Sequence, residues 1–247
     1  MAVSGTTTFS VTRNDIIEAS LRLLGVLEEG AVPNPTSIEN ASLVLNMLIK
    51  DWMTDGIKLW TTEEITLPLV DGQTTYTIGT GSSYDLNWHK PLRMIQAFLR
   101  NLSVNPPIDL PMSVISEQEY NILGSKFSGG QVNSVFFKPY REYGQVKVFL
   151  TPNQFTSANY ELHMNVQRPI YDMNKATETF DFPQEWYQAL RWGLAAELVA
   201  DYGIMDQRGA MIIQRAEMYK DRMAAWDTEY ASTFFQPDAR STNPIFR

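Results

Sequence analysis

The chain has 247 residues, 44% of them hydrophobic and 19% charged, with no cysteine, a formal net charge of −8 and a pI near 4.8. That length supports a sizeable core without covalent staples, and a chain without cysteine must fold without disulfides, as suits assembly in a reducing cytoplasm. The acidic balance speaks against a protein that grips nucleic acid by neutralising phosphates; no window reaches the ~18–20 consecutive apolar residues of a membrane-spanning helix, and the polar start from Met1 to Ser10 lacks the charged-then-apolar order of an export signal.

The first helix is signalled at Thr12, which can cap open backbone donors, with Asp15 as reciprocal partner three residues on; Ile17, Leu21 and Leu24 recur at helical spacing and Gly25 supplies the stop. After a loop holding Gly30, Pro33 and Pro35, a second helix is predicted to open at Thr36 with Glu39 in the capping-box position. It carries Ala41, Leu45, Leu48 and Trp52 on one face and stops at Gly56. The two amphipathic segments predict an antiparallel helical hairpin.

Beyond Trp60 the period changes to two. Ile65, Leu67 and Leu69 alternate, Asp71–Gly72 marks a turn, and Tyr76 and Ile78 follow, which predicts a β-hairpin. Further strands are expected over Leu92–Leu99, Val135–Phe137, Val146–Leu150 and Tyr160–Val166, with turns at Asn105–Pro106–Pro107, Gly129–Gly130 and Thr151–Pro152–Asn153. One short helix interrupts them, capped by Ser116 and Glu119 ahead of Tyr120 and Leu123.

Helical spacing returns after Asp181–Phe182–Pro183. Trp186, Leu190, Leu194 and Leu198 stand four apart before Gly203, and a last helix from about Asp206 to Tyr230 carries Ile212, Ala216, Tyr219, Met223 and Trp226. Neither flank can bury its apolar stripe alone. The expected fold class is therefore α+β: a discontinuous four-helix domain from residues 12–60 and 181–230, an inserted all-β sandwich or barrel over 61–180, and an extended C-terminal tail over 231–247.

No constellation of catalytic, cofactor-binding or metal-ligating residues stands out. His89 and His163 have no second ligand beside them in sequence and read as structural. Gly79–Thr80–Gly81 does not join a strand to a helix, as a phosphate-cradling loop would, and reads as a turn. The acid pairs Glu28–Glu29, Glu63–Glu64 and Asp51 with Asp55 are what 28 acidic residues produce by chance. Phe136, Phe137, Lys138, Tyr140, Arg141, Tyr143 and Lys147 mix aromatic and basic side chains, but their alternation reads as strand packing rather than a stacking platform for single-stranded nucleic acid. Trp186, Trp192, Tyr202 and Trp226 read as core or subunit interface.

Two stretches carry a family resemblance. The run from Asp15 to Val26 (DIIEASLRLLGV), with Ala41 to Ile57 (ASLVLNMLIKDWMTDGI) after the proline loop, resembles the head-to-tail adaptor family of podoviruses, also called head completion, tail accessory or packaged-DNA stabilisation proteins. Phe182–Pro–Gln–Glu–Trp, leading into Ala189–Leu–Arg–Trp–Gly–Leu–Ala–Ala–Glu–Leu and Tyr202–Gly203, looks like the returning helix of that fold and of the tail-tube adaptors of related phages.

The resemblance covers under half the chain. It implies a non-enzymatic virion protein, assembled in the host bacterial cytoplasm into a homo-oligomeric ring of twelve between the portal protein and the tail nozzle, with tail fibres or spikes attached. DNA would pass through the channel without specific binding, past an acidic wall that repels phosphate. The resemblance also implies a C-terminal tail reaching the portal, to which Phe234, Phe235, Ile245, Phe246 and Arg247 are assigned by position, the first four also by apolar character. Leu45, Leu48, Trp52, Trp186, Leu190, Leu194 and Trp226 are assigned to helix packing or the ring interface. The inserted β domain departs from shorter family members. The alternative is a tail-associated protein that binds or hydrolyses cell-wall or surface carbohydrate.

Overall fold

The computed structural model describes residues 5–7, 9–56 and 59–228. Its helices are α1 (Arg13–Leu24), α2 (Pro35–Trp52), α3 (Glu117–Ile122), α4 (Gln154–Asn159), α5 (Tyr187–Asp201) and α6 (Gln207–Trp226). Its strands are β1 (Thr62–Pro68), β2 (Thr75–Gly79), β3 (Leu86–Asn87), β4 (Arg93–Asn101), β5 (Ile108–Val114), β6 (Gly129–Gly130), β7 (Ser134–Pro139), β8 (Gly144–Phe149), β9 (Thr151–Pro152) and β10 (Tyr160–Gln167). The result is a mixed α+β fold with a nearly closed eight-stranded sheet.

α1 begins and ends where its signals stand. The Thr12 hydroxyl accepts from the Asp15 amide, and the Asp15 carboxylate accepts from the Thr12 hydroxyl at 2.6 Å and from the Thr12 amide at 2.9 Å; the hydroxyl bond first, then the amide bond, hold the Asp15 carboxyl below its ordinary range. Gly25 closes the helix at φ 75°, a left-handed conformation that glycine adopts without strain. α2 corrects the expected start. Asn34, not Thr36, is the cap, its side chain accepting from the Thr36 amide at 3.1 Å, and Pro35 fills the first turn, where its missing amide costs nothing. Glu39 closes no capping box, and the helix stops at Trp52, leaving Gly56 (φ 76°) to the turn beyond.

α1, α2, α5 and α6 contribute to one apolar core, in which Ile17, Leu21, Leu45, Ile49, Leu190 and Leu194 are almost wholly buried. Each such side chain contributes roughly 1.5–3 kcal/mol by leaving water. α5 packs against the other three, whereas α1 and α2 meet each other over less of their length; the flanks are interleaved, not two self-contained hairpins. Gly193 makes the closest approach possible, since a Cβ there would lie 2.9 Å from Trp52 Cζ2. Ser20, fully buried in α1, brings its hydroxyl 2.9 Å from the Arg191 carbonyl.

The sheet runs β1-β10-β4-β5-β7-β8-β2-β3, and Leu67, Tyr76, Leu99, Val146, Leu162 and Met164 fill its interior. The hairpin expected around Asp71–Gly72 does not form: β1 pairs with β10 at one edge, and β2 pairs with β8 near the other. A side chain explains the separation. The Val70 amide donates to the Tyr76 hydroxyl at 3.0 Å, and that hydroxyl lies 3.1 Å from the Gln73 carbonyl, so the loop is closed without a ladder and each strand turns to a distant partner.

β5 escapes sequence reading because Pro107 and Pro111 break its pattern, yet it pairs antiparallel with β4 and parallel with β7. Gly129–Gly130 and Thr151–Pro152, expected as turns, instead pair in parallel as β6 and β9, and Asn153 caps α4, a helix the periodicity does not announce. α3 carries the expected Ser116–Glu119 capping box.

Candidate functional surfaces

The side chains assigned to helix packing or a ring interface separate into two groups. Leu45, Leu48, Trp52, Trp186, Leu190 and Leu194 are covered within the chain, while Trp226, at the end of α6, is 56% exposed. Trp52, Trp186 and Phe182 form an aromatic cluster, with ring centroids 5.8 Å apart for the tryptophan pair and 5.9 Å for Phe182 and Trp186. Trp192 is buried and stacks with Tyr219 at 6.0 Å. The residues assigned to the portal, Phe234, Phe235, Ile245, Phe246 and Arg247, lie outside the described residues.

Where the sheet meets the helical segments, Arg168, directly after β10, is almost buried between two carboxylates. Its Nε donates to Glu63 Oε1 of β1 at 2.7 Å and its Nη2 to Asp181 Oδ1 at 2.8 Å, with Asp181 opening the returning helical run. Asp181 also accepts the Tyr171 amide at 3.2 Å, and the Arg168 guanidinium lies 5.0 Å from the Tyr171 ring and 6.0 Å from the Trp60 ring. The Asp181 bonds, then Glu63, raise the already high Arg168 pKa further against the opposing effect of burial. This is a fork that joins the sheet edge to the helix entry, and no local motif signals it.

A second polar network covers the outer face of β1, β10, β4 and β5. His163 Nδ1 lies 2.7 Å from Glu64 Oε1 and 3.2 Å from Thr66 Oγ1, and the ring stacks on Phe98 at 5.0 Å and 11°. Arg100 crosses the same Phe98 ring at 5.2 Å and makes a two-pronged bond to Asp109 at 2.7 and 2.8 Å. The Asp109 partnership raises the Arg100 pKa and lowers that of Asp109. The carboxylate near His163 that sequence lacked therefore comes from a paired strand. His89 Nε2 is 3.0 Å from the Tyr171 hydroxyl.

The acid pairs are not brought together as pairs. Glu63 and Glu64 point to opposite faces of β1, one bound to Arg168 and the other to His163; Asp55 is paired with Lys220 at 2.6 Å; Glu28 and Glu29 are exposed. Of the mixed aromatic and basic residues, Phe136 is buried against Tyr120, whereas Tyr140 stacks on Tyr143 at 4.9 Å and Tyr143 lies 5.9 Å from Tyr84. Among the described residues, no three His, Asp or Glu side chains gather as a metal would require, and no helix is long and apolar enough to cross a membrane. The chain matches no protein-family model and no curated protein.

Proposed function

We propose that this chain is a structural subunit of the head-to-tail adaptor ring of a short-tailed bacteriophage, joining the portal to the tail nozzle and forming part of the channel that retains packaged DNA and lets it out. The observation that carries the reading is that the two stretches bearing the family resemblance, far apart in sequence, lie against each other, as where Ser20 meets the carbonyl of Arg191, 171 residues away. On this reading residues 12–60 and 181–230 form one discontinuous four-helix domain, 61–180 an inserted β domain facing tail components, and 231–247 the arm that reaches the portal. Twelve copies make the ring, and its acidic wall repels DNA phosphates.

Mixing the full chain with its portal and imaging the product by electron microscopy tests this reading: a ring seated on the portal is expected, and its absence refutes the assignment. Deleting residues Phe234 to Arg247 is expected to abolish the association. A basic belt along the lumen would refute the repulsion mechanism. The cluster of Tyr84, Tyr143 and Tyr140 supports a second reading, in which the β unit contacts surface carbohydrate; a cell-wall hydrolysis activity lost on single carboxylate substitution would favour it over the adaptor.

A further inference from the structure

We propose that α6 of one copy docks onto the acidic face between α2 and α5 of the next, joining copies head to tail. The inference deepens the adaptor reading, on which it rests for its partner, by assigning the two halves of the subunit contact.

The donor half repeats every seven residues, close to two helical turns, so like residues fall in stripes. Arg208, Arg215 and Arg222 form one stripe of α6, and Met211 and Met218, 43% and 46% exposed, run beside it. Among the described residues none of the three arginines is ion-paired. They are nonetheless held in place: Arg208 donates to the Leu23 carbonyl at 2.8 Å, Arg215 lies 5.3 Å over the Trp192 ring, and Arg222 lies 5.6 Å over the Tyr219 ring. Among the described residues their charge is positioned but not compensated.

The acceptor half is a cleft of about 300 Å³ lined by Val44, Met47, Leu48, Asp51, Glu197 and Asp201. Met47 is 60% exposed, and none of the three carboxylates is ion-paired among the described residues. The geometry keeps the halves apart within one chain. Trp192, beneath Arg215, and Asp201 are both on α5, and their separation in sequence at roughly 100° per residue places them about half a turn apart, on opposite sides of the helix. Two complementary patches that face away from each other cannot satisfy themselves within one chain; they join copies heterologously, the arrangement that forms a ring when the rotation between successive copies closes. Methionine against methionine supplies an adaptable apolar centre, and arginine against carboxylate sets the register. Glu217 and Asp221, exposed on the same helix, disfavour a nucleic-acid backbone as the occupant.

Sedimentation velocity of the full-length chain without portal tests the contact. Self-association that weakens with salt is expected. Arg215→Glu and Glu197→Arg should each raise the dissociation constant about tenfold or more, and the two reversals combined in one chain should recover most of the loss. Both sites are on the surface, and circular dichroism checks that the variants stay folded. The proposal is overturned by a chain that is monomeric at every concentration, by single reversals without effect, or by a double reversal that recovers nothing. It is equally overturned if Arg215→Glu abolishes duplex DNA retention in a gel shift while self-association is unchanged. Portal binding is scored separately: a chain that self-associates through these faces but forms no complex with the portal keeps the contact and loses the adaptor reading.

Discussion

Replacing Arg168 with methionine keeps most of the aliphatic stem and removes the fork between Glu63 and Asp181. Breaking a buried ion pair by deleting one member typically costs about 3–5 kcal/mol, because the partner is left uncompensated. Here the side chain of Arg168 is 9% exposed, that of Asp181 22% and that of Glu63 47%, so solvent partly repays the loss on the Glu63 side. Asp181 keeps only the Tyr171 amide. A destabilisation of about 2–3 kcal/mol follows, which for a chain of this size lowers Tm by roughly 4–12 °C. Thermal unfolding followed by tryptophan fluorescence suits the measurement, since Trp60 lies beside the guanidinium. Arg168→Lys retains the charge but not the two-pronged geometry and should lose an intermediate amount. If Arg168→Met moved Tm by less than about 1 °C, the claim that this residue fastens the sheet to the helical entry would be wrong.

Three further outcomes follow from the same structure. Thr12→Ala removes the hydroxyl that caps α1 and its bonds to the Asp15 amide and carboxylate, while the residue-12 amide still donates to Asp15, and urea unfolding should report a loss of about 1 kcal/mol. Gly193→Val places methyl groups against Trp52 and Leu48, which a Cβ alone would already approach to 2.9 and 3.2 Å; a loss of about 1–3 kcal/mol is expected, and no change would mean that α2 and α5 pack less closely than described. Burial works to raise the Asp85 pKa, but hydrogen bonds from Thr77 and Gln73 outweigh it and hold the carboxyl below its ordinary value of 3.8. Because the folded-state pKa lies below the unfolded one, this stabilisation is present above about pH 4 and is lost as pH falls through the folded value. Asp85→Asn should flatten that part of the acid limb of a stability–pH curve, and an unchanged slope there would count against the assignment.

Helix ends were the most legible features, and the exceptions are instructive. The capping boxes at Thr12 and Ser116 form as their spacing implies, because a cap is settled among residues three apart. At α2, two adjacent starts competed, and Asn34–Pro35 prevailed over Thr36 because proline in the first turn needs no amide partner. The core-facing positions of α2 and of the α5 entry were also legible, since periodicity reports which face is buried. The strand partners were not. Alternation in β1 and β2 correctly marks Leu67 and Ile78 as interior while saying nothing of β10 and β8, and prolines concealed β5 altogether.

The composition and order of residues by themselves determined an α+β chain with helical flanks, a strand-rich middle and no disulfide, because capping, periodicity and turn chemistry act within a few residues. Only the tertiary structure decided that α5 lies among α1, α2 and α6, that β1 and β2 part company, that Arg168 bridges Glu63 and Asp181, and that Glu64 meets His163, 99 residues away. Such distant pairings are chosen among many alternatives whose loop-closure costs differ little, so side-chain fit across the assembled core selects among them.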